Sequence, residues 1–398
     1  ARAMVPAVSS ASSSGCACTN SNVWGFAGVL NIVRPLWRNV LPVLNPGGNI
    51  VHITDCYSPR TGGIETQVAN LVAAQRDAGW SVEIMTATVG EPEQGVNRIT
   101  APIPFGLPIH PRTRARVVES LAASKPSVAH IHIGATSPFA WGAIRAVRDL
   151  NLPTVITVHS MWGPLSRFGY HTFANQLSES HFTWSAVSEQ ASQLVRQALN
   201  VPVHLMPNGI DLNSWVTNGS TSAHLRVVGV LRMAPRKRVL PWLSVMGQVQ
   251  KKVPTVSAVL VGHGPLLSVA QRYAEKHGIK VEFPGRLTQS QLHSIYRESD
   301  VFLQSSIRES FGIAALEARA AGLAVVAREG TGTASFIVNG VNGFLERSDT
   351  KLADRLIDLA CNPHLLASIK TSNQVPPPYD RASLLRVSGH LYDLAKQH

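Results

Sequence analysis

The sequence predicts an α/β protein made of two Rossmann-like halves, each a parallel sheet wrapped by helices. Three observations lead there. From residue 49 onward short apolar strands alternate with helical segments, the pattern of parallel βαβ units. The alternation lapses over the segment Pro207 to Trp215 and then restarts, so two sheets are expected. The chain has 398 residues, more than one ordinary core organises.

The elements follow in order. Residues 1–47 stand apart as a leader. Ala7 to Gly15 is rich in Ser and Ala, and WGFAGVLNIVRPLWRNVLPVL is apolar but carries Arg34 and Arg38. A weak interfacial anchor, a poor signal-like segment and an upstream extension all fit it; we read it as an extension contributing little to chemistry. The first half is expected over 48–215. Asn49 to Thr54 reads as a strand, and TGGIETQVANLVAAQRDAG as a Gly turn opening an amphipathic helix, with Ile64, Val68, Leu71 and Val72 at helical spacing. Strands are expected at Ser81 to Thr86, Pro126 to His132 and Thr154 to Val158, with a helix around Trp141 to Leu150. HPRTRARVVESLAASKP reads as a basic helix, with Arg112 and Arg116 one turn apart, Arg114 offset, and Val117 and Leu121 toward the core.

The second half is expected over 216–375. Strands are read at Leu225 to Leu231, Ala258 to Val261, Lys280 to Phe283, Asp300 to Leu303 and Ala324 to Ala327. Helices fall at Val239 to Val249, Leu266 to His277 and Gln289 to Glu298, and another carries Glu317. The three prolines at 376–378 are a rigid spacer before a last helix, Arg381 to Lys396, within 376–398. Two such sheets facing each other bring the carboxyl ends of their strands to a shared cleft, where ligands of open α/β sheets bind.

Composition narrows the partners. The formal charge is +12, with 44% hydrophobic and 15% charged residues, so a folded protein with acidic partners is expected. Phosphate-bearing ligands and an anionic membrane surface fit. Zinc-finger spacing and an aromatic RNP-type strand are both lacking, which argues against nucleic acid. Cys16, Cys18, Cys56 and Cys361 are not spaced as a zinc site and read as reduced thiols of a cytoplasmic protein. No run of about eighteen apolar residues predicts a membrane span. Neither Asp-x-Asp nor HExxH occurs. His130 and His132 alternate along a strand with no third ligand evident nearby, so no metal is expected.

The densest site signal lies in RESFGIAALEARAAGLAVVA. A strand runs into QSSIRES and a helix is expected to begin near Phe311 and end at Gly322. Its amino terminus offers free N–H groups to a phosphate, and Gly312 lets backbone approach a ligand. Were the stretch helical throughout, the eight residues from Glu309 to Glu317 would span about 12 Å. One carboxylate would then hold sugar hydroxyls and the other a ribose. From spacing alone, two glutamates on a solvated helix face explain the pattern as well.

The same segment resembles the E-x7-E region of retaining glycosyltransferases of family four, which have the GT-B fold. Arg319 and Ala320 after LEA, and Ala324 in place of a common proline, are mild departures. FIVNGVNGFL resembles that family's Asn-Gly turn. The resemblance covers roughly 50 to 396. It implies two Rossmann-like domains across a cleft, the first on the acceptor side and the second binding the nucleotide sugar, with the last helix crossing back to the first.

The resemblance also assigns residues. In VGVLRMAPRKRV, Arg232 and Lys237 correspond to the pair that neutralises the donor diphosphate. Glu309 would position the sugar and His159, in TVITVHS, would contact it. Gly62 and Gly63 would admit the diphosphate and acceptor. Gly262 would approach the nucleotide, Arg286 and Leu287 the base. Ser310, Phe311, Gly312, Ile313 and Glu317 would complete the donor site. No acidic side chain occurs from Gly285 through Tyr296, so GDP and UDP remain equal candidates. The expected activity is transfer of a hexose, mannosyl or glucosyl, from a UDP- or GDP-sugar to a glycan or glycolipid acceptor, without cofactor. The basic helix carrying Arg112, Arg114 and Arg116 would meet acceptor or anionic lipid on the inner face of a membrane, as in the phosphatidylinositol mannosyltransferases of actinobacteria. Two rivals remain: a GT-B-fold nucleotide-sugar epimerase, and a nucleotide-sugar-binding protein without turnover.

Overall fold

A computed structural model describes residues 47–60, 62–101, 110–175, 182–217 and 224–397, with backbone only for 173–175. The leader reading therefore lies, but for Gly47, outside the described residues.

The amino-terminal half runs β1 (Asn49–Thr54), α1 (Gly63–Asp77), β2 (Ser81–Thr86), β3 (Val96–Arg98), α2 (Thr113–Ser124), β4 (Val128–Ile133), α3 (Pro138–Asp149), β5 (Thr154–Val158), α4 (Pro164–Asn175), β6 (Thr183–Ala186), α5 (Glu189–Leu199) and β7 (His204–Leu205). Its strands form one sheet in the order β3-β2-β1-β4-β5-β6-β7. Every pair in it is parallel. Strands such as VITV and VAHI are mostly apolar and fully buried because helices cover both faces, as a parallel sheet requires.

The carboxyl-terminal half runs β8 (Arg226–Val230), α6 (Val239–Lys252), β9 (Ser257–Val261), α7 (Leu267–Lys276), α8 (Gln289–Arg297), β10 (Val301–Gln304), α9 (Ile313–Ala320), β11 (Ala324–Arg328), β12 (Gly343–Glu346), α10 (Asp349–Cys361), α11 (Pro363–Asn373) and α12 (Arg381–Lys396). Its sheet has the order β12-β11-β10-β8-β9. Trp242 and Leu243 of α6 pack with Val227, Leu260 and Val326 in its core.

The last helix belongs to the other half. Leu384, Leu391 and Tyr392 of α12 share a core with Ile50, Val68, Leu71 and Val155 of the amino-terminal sheet and α1. The chain segment that joins the halves is pinned to the start of α12: Ile210 N–H donates to the Tyr379 carbonyl at 3.0 Å, and a Cβ on Gly209 would lie 2.7 Å from Leu384 Cγ.

Two expectations need correction. Lys280 to Phe283 forms no strand; Glu282 makes an isolated bridge to Val259, and the next backbone bond to that side is Gly262 N–H to the Gly285 carbonyl at 2.8 Å. The helix expected near Phe311 starts at Ile313, because Gly312 adopts φ +92° and turns the chain first. Glu309 to Glu317 is therefore not one helix, and the 12 Å estimate does not describe it.

Candidate active site

Glu309 and Lys237 come together. Lys237 sits in a 3-10 turn at Pro235–Lys237, after β8, and its Nζ donates to Glu309 Oε2 at 2.6 Å. The side chains are 22% and 16% exposed. Arg232 lies exposed on the same loop. Arg238 turns away to the Asp349 carboxylate.

The loop bearing Glu309 is held by backbone that motif reading did not single out. Gly332 N–H donates to the Glu309 carbonyl at 2.7 Å. A Cβ on Gly332 would lie 1.9 Å from the Ser310 carbonyl oxygen, so only glycine fits. Thr333 Oγ1 donates to Gln304 Oε1 at 2.5 Å beneath Gly312. The Gly-Thr-Gly-Thr run following β11 was the available signal. Ser310 and Ile313 are half-buried at this turn, while Phe311 is buried edge-on against Tyr379.

Glu317 lies in the second turn of α9. Its carboxyl has no hydrogen-bond or ion-pair partner among the described residues, and burial pushes its pKa up to about 8. A ligand hydroxyl would relieve that cost. Arg319, the departure from the family pattern, is buried and structural: it donates to the Phe336 carbonyl at 2.9 Å and to Asn373 Oδ1 at 3.2 Å.

Gly262 is explained by packing. At φ +138° its Cβ would lie 1.9 Å from the Leu231 carbonyl oxygen. Leu231 N–H donates to Val261 and Met233 N–H to His263, so this glycine lets two loops zip together and places Arg232. Gly62 is extended at φ −179°, a conformation open to any residue, and a Cβ on Gly63 would meet nothing within 4 Å. The space beside Gly63 is thus clear, while a Cβ on Gly62 would meet the Glu65 carboxylate at 2.5 Å. Arg286 is exposed and Leu287 half-buried on the loop before α8.

From the other half, His159 follows β5 and is 7% exposed. Burial lowers its pKa to about 3, so it is a neutral imidazole. Its loop reaches the glutamate loop: a Cβ on Gly163 would lie 3.5 Å from the Arg308 guanidinium, next to Glu309. Asp55, after β1, accepts from Phe139 N–H at 3.0 Å and Ala140 N–H at 3.3 Å, capping α3. Burial raises its pKa to about 7 against those bonds.

The basic helix is less free than its sequence suggests. Arg112, Arg114 and Arg116 are all exposed on or beside α2, with Val117 and Leu121 buried. Arg114 pairs with Asp149 at 2.6 Å and Arg116 with Glu119 at 3.1 Å. A different exposed surface stands out. Leu165 and Phe168 on α4 are 85% and 71% exposed, and Ile307, beside Arg308, is 45% exposed.

The expectation of no third ligand near His130 and His132 is overturned. His52 of β1 joins them, with ring nitrogens within 4.8 Å. Strand register does this: β1 and β4 pair with His52 opposite His130 and Thr54 opposite His132. Among the described residues no helix is long and apolar enough to cross a membrane.

Known proteins share this architecture. Residues 61–214 match the family described as Glycosyltransferase Family 4, and residues 220–374 that described as Glycosyl transferases group 1. The chain is 23% identical over 304 residues to a subunit of the phosphatidylinositol N-acetylglucosaminyltransferase of Homo sapiens, across 70% of this chain and 61% of that protein's length. It is 28% identical over 284 residues to phosphatidyl-myo-inositol mannosyltransferase of Mycolicibacterium smegmatis, across 67% and 72%. Its fold is that of HepE of Anabaena, solved in complex with UDP and glucose, with a TM-score of 0.69, 18% identity, and coverage of 86% and 99%.

Proposed function

The chain belongs to the family 4, group 1 glycosyltransferases, with the GT-B fold, and from that premise we propose that it moves a hexose from a nucleotide-diphosphate sugar to a lipid-borne or cell-envelope acceptor hydroxyl, with retention at the anomeric carbon. The observation that carries this reading is the Lys237–Glu309 pair at the mouth of α9, facing the loop of His159. A diphosphate seated at Gly312 would draw on the helix amino terminus and on Lys237 and Arg232. Glu309 would then be free to take sugar hydroxyls, and Glu317 the ribose.

The acceptor oxygen bonds to the anomeric carbon on the face from which the diphosphate departs. The carbon–phosphate-oxygen bond breaks, and the acceptor proton passes to a diphosphate oxygen. Arg232 and Lys237 offset the charge that gathers there. No protein base is required, and the sites are read as needing no metal. A lipid acceptor is favoured by the names of the phosphatidylinositol-directed relatives and by the apolar Leu165 and Phe168. Peripheral association with the inner face of a membrane follows from that choice.

The test is incubation with UDP-Glc, UDP-GlcNAc and GDP-Man, following nucleotide release with and without lipid extract. Release that rises with lipid, yielding a glycolipid, supports transfer. Epimerised free nucleotide sugar would point to the epimerase instead, and tight binding without turnover to a sugar-nucleotide-binding protein.

A further inference from the structure

The face of the amino-terminal sheet under α1 and α12 buries a continuous string of polar groups. His52, His130 and His132 are 0–2% exposed. As a metal site they would have no lone pair to spare, since each of the six ring nitrogens already has a hydrogen-bond partner. A relay describes them better. His52 Nε2 lies 2.7 Å from Gln75 Oε1. His52 Nδ1 lies 2.9 Å from His132 Nε2, and His132 Nδ1 lies 2.9 Å from His159 Nε2. The string ends on the histidine at the cleft.

Its polarity is set at the far end. Ser388 Oγ on α12 donates to the Leu385 carbonyl at 3.2 Å, an atom that can only accept. With its proton there, Ser388 accepts from the Gln75 amide, whose Nε2 lies 3.3 Å away and also donates to the Tyr392 hydroxyl at 2.9 Å. That turns Gln75 Oε1 toward His52, which must donate through Nε2. A neutral imidazole carries one N–H. His52 Nδ1 thus accepts from His132 Nε2, and His132 Nδ1 accepts from His159 Nε2. The side branch agrees: Tyr392 donates to His130 Nδ1 at 2.9 Å, and His130 Nε2 donates to Thr157 Oγ1 at 2.7 Å. No donor faces a donor anywhere along it.

Burial holds every ring neutral, with the pKa of His52 lowered to about 4 and those of His130 and His132 well below the usual imidazole range. Arg76 beside His52 pushes the same way.

We infer that this relay fixes His159 as a neutral imidazole protonated on Nε2, presenting the Nδ1 lone pair to a hydroxyl of the transferred sugar, with Gln75 and His132 as positioning residues for transfer. The inference rests on the glycosyl-transfer reading above. His159 Nδ1 has no hydrogen-bond partner among the described residues and is not among the sealed, unpaired atoms of the interior. The chemistry asks for this end of the ring. Loss of the diphosphate leaves positive charge on the sugar ring, as in other glycosyl transfers. An imidazolium or a donated N–H would oppose that charge. An acceptor lone pair draws on the hydroxyl proton and makes the sugar oxygen richer in electrons.

The experiment uses the full chain labelled with 15N-histidine, with the His159 signals assigned by their loss in His159→Gln. The expected spectrum at pH 7 shows a pyrrole-like Nε2 and a pyridine-like Nδ1. The reverse pattern, or an imidazolium, overturns the inference. Gln75→Leu removes the group that sets the polarity. His159 should then drift to a tautomer mixture, and kcat should fall roughly fivefold, the loss of one neutral hydrogen bond, with donor KM within twofold. Gln75→Glu, whose carboxylate still accepts from His52 but no longer donates to Ser388 and Tyr392, should restore the His159 tautomer. A rate that falls while the tautomer stays put also overturns the inference. Should Gln75→Leu not fold, the wild-type spectrum decides alone. That spectrum needs no turnover, so an enzyme silent with every donor would sink the transfer reading and leave the tautomer assignment standing.

Discussion

In the proposed function Lys237 would have two claimants, Glu309 before the donor binds and the diphosphate afterwards, and replacing Glu309 by Gln separates them. The amide keeps the shape of the side chain and loses its charge. Lys237 Nζ and Glu309 Oε2 stand 2.6 Å apart, where two unit charges at an effective dielectric of 20 attract by roughly 6 kcal/mol. Desolvation cancels most of this, and charged hydrogen bonds net about 1.5–3 kcal/mol. With the side chains 22% and 16% exposed, the low end, about 1.5 kcal/mol, is the better figure. Wild-type protein gives up that attraction when Lys237 turns to phosphate, and Glu309→Gln does not. UDP should therefore bind the variant about tenfold more tightly. Transfer should fall at the same time, by at least about tenfold, since the sugar loses its carboxylate. Titration calorimetry with UDP and a nucleotide-release assay read the two quantities separately. A folded variant that binds UDP no better than wild type would mean that Lys237 never leaves Glu309 for the donor.

Three further outcomes follow from the same site. Gly332→Ala puts a methyl 1.9 Å from the Ser310 carbonyl oxygen. The Glu309 loop must then shift by about an ångström, and transfer should drop roughly a hundredfold, while a melting curve remains cooperative; near-normal activity would refute the placement of that loop. Glu317, raised to about 8, is mostly protonated at neutral pH, and a ribose diol prefers the carboxylate. UDP affinity should rise from pH 6.5 to about 8 and level off above, and Glu317→Gln should flatten the curve. Fold stability has the opposite sign. The unfolded carboxyl ionises near 4.5 and the folded one near 8, so this group's contribution falls as pH climbs between the two values. Leu165→Asp with Phe168→Asp should abolish flotation with anionic vesicles if α4 is the lipid-facing surface, whereas neutralising Arg114, already paired to Asp149, should change it little.

Much of the architecture was legible in the sequence, and for a definite reason. Parallel strands covered on both faces read as short, largely apolar segments, so 49–54, 81–86 and 154–158 match the structure end to end. Short edge strands do not advertise themselves: β3, β7 and β12 have two to four residues and exist because a neighbour pairs with them. Lys280 to Phe283 shows the converse, an alternating Lys-Val-Glu-Phe segment that makes one isolated bridge to β9 and no strand. The site followed the same division. Glu309 and Lys237 lie 72 positions apart, and the pairing of β8 with β10 brings their loops into contact. Gly332 was invisible to charge and periodicity because its function is to be small beneath another loop. The histidine relay escaped too, since it joins β1, β4, α1 and α12 through strand register, which no local pattern records. The basic helix erred the other way, because sequence displays arginines without their carboxylate neighbours.

The return of α12 to the amino-terminal sheet also bears on how the chain is made. The nascent amino-terminal half emerges first, yet α1 covers only part of one face of its sheet, and the rest stays open until Arg381–Lys396 has left the ribosome. Until then Ile50, Val128 and Val155 and the three histidines beside them lie under a missing helix. A translation product stopped after residue 215 should be sticky and should exchange its sheet amides quickly, and an Arg381–Lys396 peptide added in trans should quiet both. The last helix thus makes maturation of the first domain wait for synthesis of the second.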